Sequence, residues 1–212
     1  MLHVDKTCGV ASMLDIQTGT GQMLADLPAV PPLAVATEGY RPNIVIAGDR
    51  LRRSGIHVIG AADDRPGLPF ADAASELVTS RHPVRVWWSE IARVLAPDGT
   101  YFAQHVGPHG LRELAEFLTG PRPSSSVRDP ERERTSARRA GLDVVDLRVE
   151  HPAIAFHDIG AVVYFLRVVV WTVPDFAIDR YRQRLYALHR QITGHGPFRT
   201  TSARTLIEAL RP

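Results

Sequence analysis

Short apolar runs alternate with segments of helical spacing through residues 10–118, and this alternation predicts the fold. The runs are continuous, which is typical of parallel strands that are buried on both faces and joined by crossover helices. We predict strands at Val10–Ile16, Leu33–Thr37, His57–Ala62, Glu76–Ser80, Thr100–Val106, Leu142–Val149 and Arg204–Leu210. We predict helices at Gln22–Leu27, Pro42–Ser54, Val86–Leu95, Leu111–Leu118 and Pro130–Ala140. The pattern indicates an α/β fold, with a doubly wound, mostly parallel seven-stranded sheet and helices on both of its faces.

The second half of the chain departs from this alternation. Two further helices, His157–Val169 and Ile178–Ile192, follow one another without a strand between them. We interpret residues 150–197 as a helical insertion before the last strand. The whole chain, 1–212, is then a single domain whose cofactor-binding core is the alternating region. Within that region, Pro97-Asp98-Gly99 predicts a turn before the fifth strand.

Composition and charge argue against several classes of protein. Lys and Arg total 25 against 23 for Asp and Glu, and the acidic residues are interleaved with the arginines. This balance argues against a nucleic-acid surface made of the arginines. The single cysteine, Cys8, can form neither an internal disulfide nor a thiolate metal site on its own, and we predict no bound metal. No segment has the pattern of a secretory signal or a membrane span, so we expect a cytoplasmic protein.

Acidic residues and glycines follow three neighbouring predicted strands. The run Asp15–Gly21 lies between the first strand and a helix, where its glycines let a ligand approach the backbone closely. Glu38 ends the second strand, at the distance from the glycines where a carboxylate accepts hydrogen bonds from ribose hydroxyls. Asp63 and Asp64 follow the third strand and are placed to accept from an adenine amino group. Because the carboxyl ends of parallel strands share one edge of a sheet, these residues predict one site.

The sequence resembles the class I S-adenosylmethionine-dependent methyltransferases, specifically the group called type 11. The resemblance covers 12–117 and rests on four segments: LDIQTGTGQ at Leu14–Gln22, VATEG at Val35–Gly39, DDRPGLPFADAASELVTSRH at Asp63–His82 and EIARVLAPDGTYF at Glu90–Phe102. The segment FHDIGAVVYFLR at Phe156–Arg167 is similar to an uncharacterised subgroup. The resemblance implies that S-adenosylmethionine is the cofactor. The cofactor-binding residues that it implies are Asp15, Gln17, Gly19, Gly21, Glu38, Asp63, Asp64 and Ser80.

Two features depart from the family pattern. The family usually has glycine where this chain has Gln17, and a side chain there is expected to crowd the methionine end of the cofactor. Relatives carry a longer segment before the first strand than Met1–Gly9. We therefore expect the cofactor side of the site to be unusually exposed.

Methyl transfer from a sulfonium is an in-line displacement in which the cofactor supplies the reactive carbon and the protein supplies the alignment. A base helps when the acceptor is a hydroxyl or a protonated amine. The catalytic candidates lie after strands at the ligand edge or begin the inserted helices. They are His82, His105, His157 and Asp158.

Three functions fit the sequence. The first is methyl transfer to an oxygen or nitrogen atom of a small molecule, in a pocket walled by the aromatic residues of the insertion. These are Phe156, Tyr164, Phe165, Trp171 and Phe176. The second is RNA methylation, for which the arginine content is the support. The third is a degenerate, non-catalytic cofactor binder, which Gln17 and the short start suggest. The apolar stripe of Tyr181, Leu185 and Leu188 is a candidate homodimer contact.

Overall fold

The computed structural model describes residues 4–7, 9–62, 64–123 and 128–212. The chain divides into two compact units. The core unit comprises Met1–His105, Arg128–Arg148 and Thr205–Pro212, and the second unit comprises Val106–Val127 and Val149–Arg204. In the part of the chain that is described, no helix is both long and apolar enough to cross a membrane.

The core unit is built on the seven-stranded sheet that the sequence predicts. Its strands are β1 (Ser12–Ile16), β2 (Leu33–Glu38), β3 (His57–Gly60), β4 (Ser75–Arg81), β5 (Leu95–Val106), β6 (Asp143–Glu150) and β9 (Arg204–Leu210). Their order across the sheet is β3-β2-β1-β4-β5-β9-β6, and β1 to β5 run parallel. Backbone hydrogen bonds join Asp98 and Gly99, near the start of β5, to Arg211, just past the end of β9. The last strand is therefore antiparallel to β5, and the predicted doubly wound, mostly parallel sheet is confirmed.

Helices cover both faces of this sheet. Those of the core unit are α1 (Val4–Thr7), α2 (Gln22–Ala25), α3 (Arg41–Leu51), α4 (Trp88–Val94) and α6 (Pro130–Arg139). Adjacent residues of β1 point to opposite faces, as the pleat of a strand requires. Met13 packs in one apolar cluster with Leu51 of α3, and Leu14 packs in the other with Ile91 of α4. The continuous apolar runs of the sequence are therefore explained by burial on both faces.

Two details of the predicted secondary structure are wrong. The Pro97-Asp98-Gly99 segment is not a turn before a strand, because β5 runs through it. The pairing with β4 shifts register there, between the pairs Ser75–Leu95 and Leu77–Thr100, which is the signature of a bulge. The sequence pattern also predicts no strand beside the two helices of residues 150–197. Two short strands, β7 (Ala153–Phe156) and β8 (Phe198–Thr201), instead flank its helices and pair antiparallel.

The second unit has its own apolar core. Its helices are α5 (Arg112–Thr119), α7 (Ile159–Val168) and α8 (Ile178–His195). Leu185 and Leu188 of α8 are buried in this core, and Tyr181 packs against it. The apolar stripe that the sequence analysis names as a candidate homodimer contact is thus used for packing within the second unit.

One glycine fixes how the loop after β1 approaches α3. Gly21 has φ of 73°, in the left-handed region. A Cβ atom at Gly21 would lie 2.9 Å from Leu51 Cδ1 and 3.4 Å from the Ala47 Cα. Leu51 is fully buried, so its side chain has little room to move away. Gly19 also has positive φ, at 63°, but a Cβ there would meet nothing within 4 Å.

The two glycines therefore predict different losses of stability on substitution. Gly19→Ala should cost about 1–2 kcal/mol, the ordinary penalty of a left-handed non-glycine residue. Gly21→Ala should cost about 1–3 kcal/mol more, because it adds overpacking against α3. Urea unfolding of both variants measures the difference. Equal losses would contradict the close approach of Gly21 to α3.

Candidate functional site

The order of strands places a ligand crevice between β1 and β4. From β1 the chain proceeds outward to β2 and β3, and it then crosses back so that β4 pairs with the other side of β1. In open α/β sheets, ligands bind outside the carboxyl ends of the strands at this reversal of direction. The loop 17–21 follows β1 and the loop 82–87 follows β4, so both border this position.

The loop after β1 has the tight backbone that the glycine pattern predicts. Gln17, Gly19 and Gly21 all adopt positive φ. The helix that follows, α2, has only the four residues Gln22–Ala25, so it is shorter than predicted. A helix of one turn has only a small macrodipole, because few peptide dipoles add along its axis. Ligand binding in this loop therefore depends on side chains and on the backbone of the loop itself.

The carboxylate of Glu38 is directed into this loop. Its Oε2 accepts a hydrogen bond from the backbone N–H of Gly19 at 2.7 Å, and its Oε1 accepts from that of Tyr40 at 2.8 Å. The side chain is buried. Glu38 thus lies at the carboxyl end of β2 beside the glycines, as the sequence predicts, and both of its oxygens are engaged by backbone amides.

Asp15 is a carboxyl group buried inside the sheet. Its Oδ1 accepts from the Thr79 hydroxyl at 2.6 Å across the β1–β4 pair, whereas Oδ2 completes no hydrogen bond within the described residues. Burial raises the pKa of Asp15 to about 6, the hydroxyls of Thr79 and Thr18 oppose this rise, and the charge of Glu38 adds to it. An unsatisfied oxygen on a buried carboxyl group is costly, and it is a candidate partner for a cationic ligand group.

Two predicted cofactor residues use their side chains to join the crevice walls. Ser80 Oγ donates to the Ile16 carbonyl at 2.7 Å. Gln17 Nε2 donates to the Arg85 carbonyl at 2.8 Å, and Gln17 Oε1 accepts from the backbone N–H of Val84 at 2.5 Å. The amide of Gln17 therefore spans from the end of β1 to the loop after β4.

The predicted histidines lie in different surroundings. His82 follows β4 and is half-buried, with Nε2 3.1 Å from the Gln104 side-chain oxygen. That oxygen can only accept, so the ring contacts it as a donor through Nε2. His105 lies within β5 rather than after it, and only 1% of it is exposed. Its Nε2 is 2.9 Å from the Tyr101 hydroxyl, and its Nδ1 is 3.2 Å from Glu133 Oε2 at an angle that completes no hydrogen bond.

The remaining candidates are exposed or lie outside the described residues. Asp64 is exposed after β3, and Asp63 lies outside the described residues. His157 and Asp158 belong to the second unit, and both are exposed. Asp158 caps α7, since its Oδ1 accepts from the Ala161 N–H at 2.8 Å. The structure thus brings together Asp15, Gln17, Gly19, Glu38, Ser80 and His82 around the loops of one sheet edge.

Sequence reasoning missed the partners of these residues. Thr79 faces Asp15 because the two are register partners in β4 and β1. Arg128 donates to the carbonyls of Pro83 and Val84, and so holds the loop after β4 from the start of α6. No local motif marks either contact, because each depends on strand register or on helix packing across the sheet.

Comparison with known proteins agrees on the fold. No protein-family model and no curated protein matches the sequence. Among solved structures, the YcgJ protein of Bacillus subtilis has 18% identity and a TM-score of 0.67, covering 99% of this chain and 96% of that chain. A candidate methyltransferase of Bacillus halodurans has 14% identity and a TM-score of 0.65, covering 98% and 96%.

A third solved structure contains ligands. The phosphoethanolamine N-methyltransferase 2 of Haemonchus contortus, in complex with phosphomonomethylethanolamine and S-adenosylhomocysteine, has 15% identity and a TM-score of 0.55. The match covers the full length of this chain and 52% of that enzyme. The core unit therefore has a Rossmann-like sheet. More narrowly, the chain has the fold of the class I S-adenosylmethionine-dependent methyltransferases.

The raised pKa of Asp15 predicts how stability depends on pH. The native state binds the Asp15 proton up to about pH 6, while the unfolded state releases it near 3.8. Stability should therefore fall as pH rises through this window, by about 3 kcal/mol. The Asp15→Asn variant has no carboxyl group to ionise at this position. Its free energy of unfolding should therefore fall less than that of the wild type over this pH range, by the same amount. Urea unfolding from pH 3.5 to 7 measures both proteins.

A second substitution checks the cause of this pH dependence. Thr79→Val removes the hydroxyl that favours the ionised form of Asp15. The loss of stability should then extend to higher pH than in the wild type. Parallel pH profiles for the wild type and Asp15→Asn would show that Asp15 is not the group responsible.

Proposed function

We propose that this chain binds S-adenosylmethionine at the carboxyl edge of β1 and β2 and transfers its methyl group to an oxygen or nitrogen atom of a small molecule. The observation that carries the proposal is the position of Glu38 beside Gly19 at the reversal point of the sheet. A carboxylate at the end of the second strand, next to a glycine loop after the first, has the chemistry that a ribose diol needs.

The residues of this edge fit an adenosyl amino acid in their chemistry. Each oxygen of the Glu38 carboxylate accepts one backbone hydrogen bond and has a second lone pair that would accept from a ribose hydroxyl. The buried and unsatisfied Oδ2 of Asp15 would accept from the ammonium of the methionine end, which would favour the ionised form of Asp15. Gly19 leaves open space where any other residue would place a side chain.

When bound, the cofactor supplies an activated methyl group on a sulfonium. The protein then has to align the acceptor and exclude water, and an obligate catalytic side chain is not required. Of the four predicted catalytic residues, His82 is the strongest proposal for a base. It follows β4 next to the crevice, and the contact of its Nε2 with the Gln104 side chain holds the ring in place. His105 is enclosed by Tyr101 and Glu133, so we propose that it supports the wall of the site.

Several observations support a small-molecule acceptor over RNA. Arginines are neutralised by nearby carboxylates, as in the pairs Arg112–Glu116 and Arg182–Asp179. Arg93 pairs with both Asp72 and Glu90. Such pairing leaves fewer cations for phosphate contacts. The Haemonchus contortus enzyme, which has the same fold, takes a small phosphorylated amine.

The aromatic wall proposed from the sequence is reduced by packing. Phe156 and Phe165 pack edge to face within the second unit, and Phe176 stacks on Tyr181. Tyr164 and Trp171 remain 72% and 55% exposed. Packing within the second unit thus leaves only these two of the five aromatic side chains mostly exposed.

A second candidate function is cofactor binding without methyl transfer. The bridge from Gln17 to the loop 82–87 favours it, because it occupies the crevice where the reactive end of the cofactor would lie. Another neighbour in fold, the [4+2]-cyclase SpnF, has 19% identity and a TM-score of 0.56. This fold is thus compatible with other reactions as well.

Calorimetry tests whether the protein has a cofactor site, which both proposals require. S-adenosylhomocysteine and S-adenosylmethionine should both bind the wild-type protein. Incubation with methyl-labelled S-adenosylmethionine and either a small-metabolite extract or total RNA then identifies the acceptor class. Label in the small-metabolite fraction is expected. Label only in RNA would contradict the acceptor proposal, and failure of the folded protein to bind either ligand would contradict the cofactor proposal.

Glu38→Ala should weaken S-adenosylhomocysteine binding by about 1–3 kcal/mol, the cost of leaving buried hydrogen-bonding groups unpaired. Glu76→Ala is a matched control, since Glu76 also accepts from a backbone amide, that of Ala11, but at the start of β4. Calorimetry on both variants, with thermal unfolding to confirm that each is folded, measures the difference. Equal affinity in the two variants would place the ribose elsewhere.

A further inference from the structure

Gln17 combines an unfavourable backbone with a fully used side chain. Its φ is 59°, a region that glutamine adopts rarely and glycine readily. The side chain is buried, and its amide makes one hydrogen bond as donor and one as acceptor. Both go to the backbone of the loop after β4, at Val84 and Arg85. The bridge therefore offsets the cost of the left-handed backbone.

The same loop is held from a second direction. Arg128 donates to the carbonyls of Pro83 and Val84, the latter being the residue whose N–H binds Gln17. Val84 is thus held on both of its backbone polar groups. A loop fixed at adjacent peptide groups by two side chains from different elements has little freedom to move away from β1.

The space enclosed next to the bridged residue Arg85 is small. An apolar cavity bordered by Ile16, Ser80, Pro83, Arg85 and Tyr101 has a free volume of about 10 Å³. That is roughly room for one water molecule, whereas small-molecule sites have on the order of 300–1,000 Å³. A ligand that entered between β1 and β4 would have to displace the Gln17 amide.

The strand order predicts which part of the cofactor meets this bridge. Asp64 follows β3, Glu38 ends β2, and Gln17 follows β1. With the adenine at β3 and the ribose at β2, as proposed above, the amino-acid end of the ligand extends over β1 toward β4. The nucleoside end lies away from the bridge, and the amino-acid end lies against it.

We propose that Gln17 determines the ligand specificity of the site, acting as a latch that admits adenosine-type ligands and opposes those carrying an amino-acid chain. This inference rests on the proposed cofactor site. Opening the latch breaks the two hydrogen bonds of the Gln17 amide. The apparent affinity for S-adenosylhomocysteine is then the affinity of the open state multiplied by the fraction of molecules in which the latch is open. 5′-Methylthioadenosine has the same nucleoside and no amino acid, so it avoids this cost.

Two substitutions separate the amide bridge from the backbone strain. Gln17→Gly removes the side chain and suits positive φ. Gln17→Asn keeps an amide and tolerates the left-handed region, but its side chain is one methylene too short to reach Val84 and Arg85 together. Gln191→Asn, at an exposed position of α8, is the matched control for shortening a glutamine.

The test combines calorimetry with amide hydrogen exchange at Val84. Both Gln17 variants should bind S-adenosylhomocysteine about tenfold more tightly than the wild type, with the affinity for 5′-methylthioadenosine changed by less than about threefold. The Val84 amide, which loses its acceptor, should exchange faster in both variants. Gln191→Asn should match the wild type in all three measurements.

Each of the other possible outcomes contradicts a different part of the proposal. Unchanged exchange at Val84 would show that the bridge is absent in solution. Faster exchange with unchanged or weaker S-adenosylhomocysteine binding would overturn the latch while leaving the proposed function intact. If none of the proteins binds either ligand, the proposed function itself fails, and the specificity assigned to Gln17 fails with it.

Discussion

The parallel pairing of β1 with β4 is the constraint on which the other features of the site depend. It creates the reversal in strand order, and it brings the loop of Gln17 and Gly19 next to the loop of Pro83–Arg85. The same pairing puts Thr79 opposite Asp15 and Ser80 opposite Ile16. A shift of one residue in this register would turn Asp15 away from Thr79 and separate both pairs of groups.

This pairing also explains why a carboxyl group is tolerated inside the sheet. Asp15 is satisfied on one oxygen by Thr79, and the hydroxyls of Thr79 and Thr18 limit how far burial raises its pKa. The other oxygen completes no hydrogen bond within the described chain. A buried carboxyl group that costs stability is typical of functional sites, where strain and polarity are kept for binding. The positive φ of Gln17, two residues after Asp15 in the chain, is a second feature of this kind.

The sequence predicted the parts of this arrangement that depend on local pattern. The apolar runs identified the strands. The polar residues and glycines near the ends of these runs identified the candidate site, with Asp15, Glu38 and the glycine loop. It could not predict that Gln17 reaches Val84 and Arg85, because that contact joins positions far apart in the chain through the β1–β4 register. For the same reason it could not predict that Tyr101 and Glu133 of α6 enclose the ring of His105 near the carboxyl end of β5. Contacts set by packing between elements leave no signal in the spacing of residues.

The central claim is that the edge formed by β1, β2 and β4 is an adenosyl site whose closed state depends on Gln17. A crystal structure of the wild-type protein grown with S-adenosylhomocysteine tests it most directly. The account predicts ribose hydroxyls on the Glu38 carboxylate, with the Gln17 amide released from Val84 and Arg85. A ligand bound elsewhere, or bound at this edge with the Gln17 bridge still intact, would contradict it.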